Sequence, residues 1–348
     1  MKTKIPSYVE EMISVKAAGA IDKCEKLCEF VKNDVVCKFA FVTDIHNCVD
    51  YAQRAFYAID KINEKFKLDF VCLGGDYLCN NINTSRSEAL KQHRDLANSL
   101  DNLKIKNKTF VMNGNHDSNP FNSKNSLTHE QIYNILMNHH IEKFNINAID
   151  KNSIYGYMDI DCSKIRVIFL DVCEQNTNSF VIGNKQMNWF AHTALDLPGK
   201  EWGVLLFSHT LPIPSRLSTE RTFGGEAVWE ILCAFKNGTK YSAKVSNGDK
   251  SYDVECDFTK SGEGEVIAWF VGHNHADRTD VIDSVRVIST LAACSDNMGT
   301  GICDDGSFHR KVLGSAEESA FSIVSINRTT RKINYIRCGA GPDFSCGF

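Results

Sequence analysis

The sequence has no apolar run approaching bilayer length, no Cys-x-x-Cys pair, only 6 prolines in 348 residues and no excess of basic charge. Each absence removes a class of protein. Without about 18 consecutive apolar residues there is no candidate membrane span. Scarce proline, with 22 glycines, excludes collagen-like and proline-rich disordered chains. A net charge of -4 leaves no electrostatic basis for tracking nucleic acid or an anionic membrane, although a small anionic substrate needs only local cations. The opening MKTKIPSYVEEMISVKAAGA carries lysines but no apolar h-region before a small-residue cleavage site. The 14 cysteines are therefore expected to be free thiols in a reducing compartment, and the protein cytoplasmic. Cys24 and Cys28 stand at i, i+4 spacing, which reads as two thiols on a helix rather than half of a zinc site.

A 43% hydrophobic content is enough for a sizeable core. Residues 7–32 have a helical pattern that weakens near Gly19 and form an N-terminal helical segment, 1–36. From residue 37 onward short apolar runs alternate with amphipathic stretches. FAFV (39–42), DFVCL (69–73), TFVM (109–112), IRVIFL (165–170), WGVLLF (202–207), EVIAWFV (265–271) and VRVIST (285–290) read as buried strands. Helical patterns cover 51–67, 86–101, 129–142, 185–196 and 224–236. This alternation predicts an α/β domain over 37–348 with a largely parallel sheet. SAFSIVSINRTTRKINYIRCG predicts a closing antiparallel hairpin. The stretch 210–264, with a helix and the strand-like YDVECDF, is long for one connection and reads as an insert beside the site.

The polar residues at the ends of these apolar runs are chemically specific. Asp44 and His46 come after the first, Asp76 after the second, and Asn115, His116 and Asp117 after the third; His209 ends another, and His273 and His275 close the series. Carboxyl ends of parallel strands open onto one crevice, so these distant residues converge at one sheet edge. Alternate residues of an extended chain diverge, so the histidines of GHNH suit two metals better than one. Two carboxylates, an amide oxygen and four imidazoles besides His116 favour Mn, Fe or Zn over Ca or Mg.

In order, the chain reads DIH, GD, GNHD, SHT and GHNH, and in this it resembles the calcineurin-like metallophosphoesterases over roughly 37–340. The resemblance implies a four-layer α/β/β/α sandwich of two mixed sheets flanked by helices. It implies that Asp44, His46 and His275 hold one metal, that Asn115, His209 and His273 hold the other, and that Asp76 bridges them. It also implies attack on phosphorus by a metal-bridging hydroxide, with His116 facing the substrate as an acid or transition-state stabiliser.

The chain departs from the protein phosphatases of that family at GDYLCNN, where Cys79 and Asn80 replace an aspartate and a phosphate-gripping arginine. Asn47 and Cys48 stand where the first motif often has glycine. Asp117 is then the candidate partner of His116, and Arg278 is either the missing phosphate-binding cation or a surface arginine. Asp171 reads as a loop-capping residue, and His93, His129, His139, His140, His192 and His309 as solvated or capping ones. The expected activity is hydrolysis of a phosphodiester or phosphomonoester of a small molecule or nucleotide. A nuclease of the same family and a non-catalytic metal-binding scaffold are the alternatives; low basicity disfavours the first and the complete ligand set the second.

Overall fold

The computed structural model describes residues 7–32, 35–46, 49–79, 83–121, 123–137, 154–294, 310–312 and 314–348. Asn47, Cys48, Asn80, His139, His140 and His309 lie outside them.

Strands β1 (Val36–Val42), β2 (Phe70–Leu73) and β3 (Thr109–Val111) run parallel. On the other side of β1 the same sheet continues antiparallel through β14 (Ala320–Asn327), β15 (Lys332–Gly339) and β16 (Phe344–Gly347). The second sheet has a parallel centre of β5 (Ile165–Leu170), β7 (Gly203–Ser208), β11 (Glu265–Val271) and β13 (Val285–Ser289). Antiparallel edge strands β4 (Gly156–Ile160) and β12 (Arg278–Ile282) complete it. Two smaller pairs are β6 (Phe180–Val181) with β8 (Thr222–Phe223), and the hairpin β9 (Lys240–Asn247) with β10 (Lys250–Asp257).

The continuous apolar runs follow from burial on both faces. In β7, Leu205 and Phe207 belong to the core between the sheets, whereas Val204 and Leu206 belong to the core under the outer helices. Phe39 of β1 lies 5.4 Å, centroid to centroid, from both Phe207 and Phe270, and Phe110 of β3 stacks on Phe169 at 3.9 Å. These contacts press the sheets together, each fully buried Phe stabilising the fold by roughly 1.5–3 kcal/mol.

Helices α1 (Ser7–Lys26), α2 (Val49–Phe66), α3 (Arg86–Leu100) and α4 (His129–Leu136) pack into the core on the first sheet's side. The second sheet is covered by α5 (Asn184–Trp189), continued by a π turn over Phe190–Ala194, and by α6 (Gly225–Asn237). The architecture is the four-layer sandwich of two mixed sheets and flanking helices. The 210–264 stretch supplies β8, α6 and the β9–β10 hairpin.

Helix α1 runs through Gly19 without a break, against the weakening expected there. A glycine in a helix costs about 1 kcal/mol relative to alanine, but Ile13, Ala17, Ala20 and Cys24 are buried against the first core and outweigh it. Cys28 lies beyond the helix end, exposed and at φ 57°, so it does not share the buried face of Cys24. Among the described residues no helix is long and apolar enough to cross a membrane.

Candidate metal centre

The carboxyl ends of β1, β2 and β3 carry Asp44, His46, Asp76, Asn115 and His116, and those of β7 and β11 carry His209, His273 and His275. Face-to-face packing brings the two sets together. Two glycines permit the approach. A Cβ on Gly272 would stand 2.2 Å from Thr43 Oγ1 and 2.6 Å from Asp44 Oδ2, and one on Gly114 would stand 2.2 Å from the Asp76 nitrogen. No side chain fits at either place.

The backbone is strained here. Asp44, His46, Asp76, His273 and His275 have φ between 48° and 67°, and they are five of the 13 non-glycine residues with positive φ among those described. Such conformations persist only when neighbours enforce them. Hydrogen bonds between the loops do so: Asp44 N donates to Gly75 O at 2.9 Å, His46 N to Asp76 O at 2.9 Å, and His116 N to Asp76 Oδ1 at 2.9 Å.

The side chains form two adjoining groups. In the first, His275 Nε2 is 3.2 Å from Asp44 Oδ1 and 3.1 Å from His46 Nε2. In the second, Asn115 Oδ1 is 3.0 Å from both His209 Nε2 and His273 Nδ1. Asp76 Oδ2 lies between, 3.2 Å from His209 Nε2 and 3.9 Å from His46 Nε2. Asp44, Asp76 and His209 are wholly buried or nearly so.

This arrangement fits cations. His46 Nδ1 donates to Leu78 O at 3.3 Å and His209 Nδ1 to Gly74 O at 2.8 Å, which leaves Nε2 of each ring turned inward as the nitrogen available to a metal. Asn115 Nδ2 donates to Asn178 Oδ1 at 2.7 Å, which turns the amide oxygen inward as well. Lone pairs facing one another at such spacing repel unless something positive sits among them. Atoms that ligate one ion at about 2.0–2.2 Å stand roughly 3–3.4 Å apart, the spacing seen in both groups. Without metal, a proton serves instead: burial would lower the His209 pKa, but the neighbouring Asp76 and Asp44 raise it to about 10. Burial likewise opposes ionisation of Asp76, yet the positive field of His209 and His116 holds its carboxyl well below the usual range.

His116 adjoins the two ligand groups: its ring lies 5.0 Å from that of His46, and with His46 and Asp76 it makes a third set of side chains close enough to share one ion. Its Nε2 is 3.7 Å from Asp76 Oδ2, its ring lies 5.1 Å from that of Phe121, and its Nδ1 has no hydrogen-bond partner among the described residues. Burial lowers its pKa. Asp117 does not assist it through its carboxylate, which accepts from the backbone N–H groups of Gly114 at 2.6 Å, Tyr77 at 2.6 Å and Asp76 at 2.9 Å. The Asp117 side chain staples the second and third motif loops to each other. Burial and the Asp76 charge push its pKa up to about 7, against the pull of the Gly114 and Tyr77 bonds.

Arg278 opens β12 and donates to Arg216 O at 3.1 Å, on the segment after His209 and not to a metal-ligand side chain. Cys79 lies against Gln92 and Thr84. Asp171 caps loops, accepting from Ile154 N at 2.9 Å and Cys173 N at 3.2 Å. Two histidines read as solvated or capping are buried instead. His93 underlies the third motif, its Nε2 donating to Asp117 O at 2.9 Å, and His129 pairs with Asp171 at 3.3 Å. Their helices carry many polar residues, and only packing decides which of these turn inward.

Sequence reasoning missed Asn178, which orients Asn115, and Glu220, whose carboxylate lies 3.6 Å from His273 Nε2. Neither has a motif signal. Phe180, with its ring 5.2 Å from that of His273, also escaped, and Asn274 of GHNH donates to Leu217 O, tying that loop to the segment after His209.

The sequence profile of calcineurin-like phosphoesterases matches residues 37–277. The chain belongs to that family. No curated protein sequence matches this phosphoesterase significantly. Among solved structures, TT1561 of Thermus thermophilus has 9% identity and a TM-score of 0.42, over 86% of this chain and 98% of that one. GAP50, titled as the anchor in the inner membrane complex of Plasmodium, has 10% identity and a TM-score of 0.46, over 90% and 89%. An archaeal phosphodiesterase has 13% identity and a TM-score of 0.32, over 86% and 99%.

Proposed function

We propose that this protein hydrolyses phosphoesters using two transition-metal ions of the Mn, Fe or Zn kind. Asp44, His46 and His275 would hold one, Asn115, His209 and His273 the other, and Asp76 both. The position of Asp76 carries the reading, because one buried carboxylate oxygen stands within 4 Å of a histidine from each group. When bound, such a pair of ions acts as a Lewis acid toward phosphoryl oxygens and lowers the pKa of water.

The chain supplies the rest. His116 sits beside the bridging carboxylate and in this reading faces the substrate, placed to hydrogen-bond the leaving oxygen and give it a proton. Asn178 holds the Asn115 amide of the second group in orientation, as outer partners of metal ligands do, and the Glu220 carboxylate lies near the His273 ring at 3.6 Å, beyond hydrogen-bond reach. Asp117 and the buried Tyr77, which donates to Met112 O at 2.7 Å, keep the strained loops in place.

Diesters should be preferred to monoesters. The described part of the loop after Asp76 has no cation, only Tyr77, Leu78 and Cys79, and Arg278 is engaged with Arg216 O. A monoester dianion needs more charge compensation than a singly charged diester. The test reconstitutes metal-free protein with Mn, Fe, Zn or Mg and compares kcat/KM for bis-(p-nitrophenyl) phosphate and p-nitrophenyl phosphate. A diester preference of about tenfold is expected. Failure to hydrolyse either ester with any metal would remove the proposal, and a tenfold monoester preference would remove the diester part.

A further inference from the structure

The β9–β10 hairpin, part of the 210–264 stretch, is a sheet of its own with two edges. The β10 edge is closed by α5: Asp253 N donates to Asn184 Oδ1 at 2.9 Å, and Asn188 Nδ2 donates to Asp253 O at 3.0 Å. The β9 edge is open. Phe258 N donates to Thr239 O at 3.0 Å, one step beyond the Lys240–Asp257 pair, so the bonds to β10 alternate through Tyr241, Ala243, Val245 and Asn247. The N–H and C=O groups of Lys240, Ser242, Lys244 and Ser246 therefore point away from β10, and none has a hydrogen-bond partner among the described residues.

Among the described residues no other sheet edge is as long or as bare. Strand β3 has three residues, all buried, β6 and β8 have two each, and β4 is buried but for Asp159. Arg216 donates to Thr279 O of β12, and Arg286 to Gly347 O of β16. Strand β9 has eight residues, none of them buried. Lysines commonly guard such an edge, but Lys240 and Lys244 are drawn back onto β10 by Asp257 at 2.8 Å and Asp253 at 2.5 Å. The other face of β9 carries Tyr241, Ala243 and Val245, and Val245 is 36% exposed.

We propose that β9 pairs antiparallel with β9 of a second copy of this chain, joining two hairpins into one four-stranded sheet across a two-fold axis. The pairing is independent of the metal chemistry. Charge selects its register. An axis at Ala243 sets Lys240 opposite Ser246 of the partner subunit and Lys244 opposite Ser242 of the partner subunit. It also sets Tyr241 opposite Val245 of the partner subunit, an aromatic and β-branched pair that covers the exposed valine. An axis at Ser242 would set Lys240 against Lys244, and one at Lys244 would set that lysine against itself; like charges directly opposite destabilise a sheet. An axis at Tyr241 or Val245 would leave part of each strand unpaired. The strand is thus complementary to itself in charge and in side-chain shape, which favours a second copy over an unrelated peptide.

The test is sedimentation of the full-length protein, which should dimerise reversibly below about 100 µM. Ser242→Pro removes an outward N–H without touching the bonds to β10, and should weaken the dimer about tenfold or more while circular dichroism shows an intact fold. If that variant does not fold, position 246 decides, since it faces the neutral Ser251 on β10 and Lys240 of the partner subunit. Ser246→Glu should tighten the dimer and Ser246→Lys loosen it, by about twofold to tenfold each. Position 243 lies on the axis in a pair without mutual hydrogen bonds, where Cα atoms stand about 4.5 Å apart, within disulfide range. Ala243→Cys should therefore give a disulfide-linked dimer with oxidised glutathione, whereas Ser246→Cys and the wild type should not. Three results would overturn the proposal: a monomer at every concentration up to about 100 µM, a dimer indifferent to Ser242→Pro and to both charged changes at Ser246, or linkage through Ser246→Cys in preference to Ala243→Cys.

Discussion

The two ends of the central strands solve opposite problems. At the amino ends of β5, β7 and β11 charges are matched within the protein. Arg328, from the β14–β15 turn, donates to Glu265 Oε2 at 2.8 Å, Lys164 O at 3.0 Å and Glu201 O at 2.6 Å, and Arg331 pairs with Glu265 as well. At the carboxyl ends, Asp44, His46, Asp76, Asn115, His209, His273 and His275 turn acceptors toward one another, most of them on left-handed backbone. One end matches its charges within the protein, and the other leaves inward-facing acceptors that cations would match. The same strands can therefore hold a rigid scaffold and a reactive site, because strain at one edge is tolerated while the other clamps both sheets.

The largest expected effect breaks the acceptor end. Asp76→Asn should reduce occupancy of both metals together, with loss of metal affinity of about 100-fold or more, since a shared ligand is lost rather than an outer partner. Elemental analysis and a metal titration read it. Two tightly held metals with full activity in the variant would show that Asp76 does not serve both groups.

His116→Ala probes the same end without its ligands. The metals should stay and kcat should fall by on the order of 10²–10⁴-fold. Metal loss without a separate rate effect would place His116 among the ligands.

The smallest effect on activity belongs to the matched end. Arg328→Ala should cost about 1–2 kcal/mol of stability, because three backbone carbonyls lose a charged donor while the half-buried Glu265 keeps only Arg331. Metal content and kcat/KM should stay within about twofold of wild type, since the clamp lies at the far end of the strands. Denaturant midpoints and metal analysis on one preparation test both halves. Loss of metals at full stability would mean that the two ends are coupled.

Much of the site is legible in the residue order, because strand ends are marked twice there: by the end of an apolar run, and by the polar residue after it. Asp44 after FAFVT and His209 after VLLFS stand out for that reason. His93 and His129 do not, since a polar helix says little about which of its histidines turns inward. Asp117 comes into consideration as a helper of His116 because GDYLCNN lacks the usual aspartate, and residue order does not disclose that its carboxylate reaches across to the Tyr77 and Asp76 backbone.

Residue order alone dictates the buried central strands and the succession in which they present the candidate ligands, as well as the mixed oxygen and nitrogen chemistry those residues offer. These follow from local burial patterns and residue types. It takes the folded chain to decide which nitrogen of His209 faces inward, that Asn178 orients Asn115, and that Phe180 and Glu220 come to lie beside His273. Those depend on contacts between segments far apart in the chain, and such contacts leave no periodic trace in either partner.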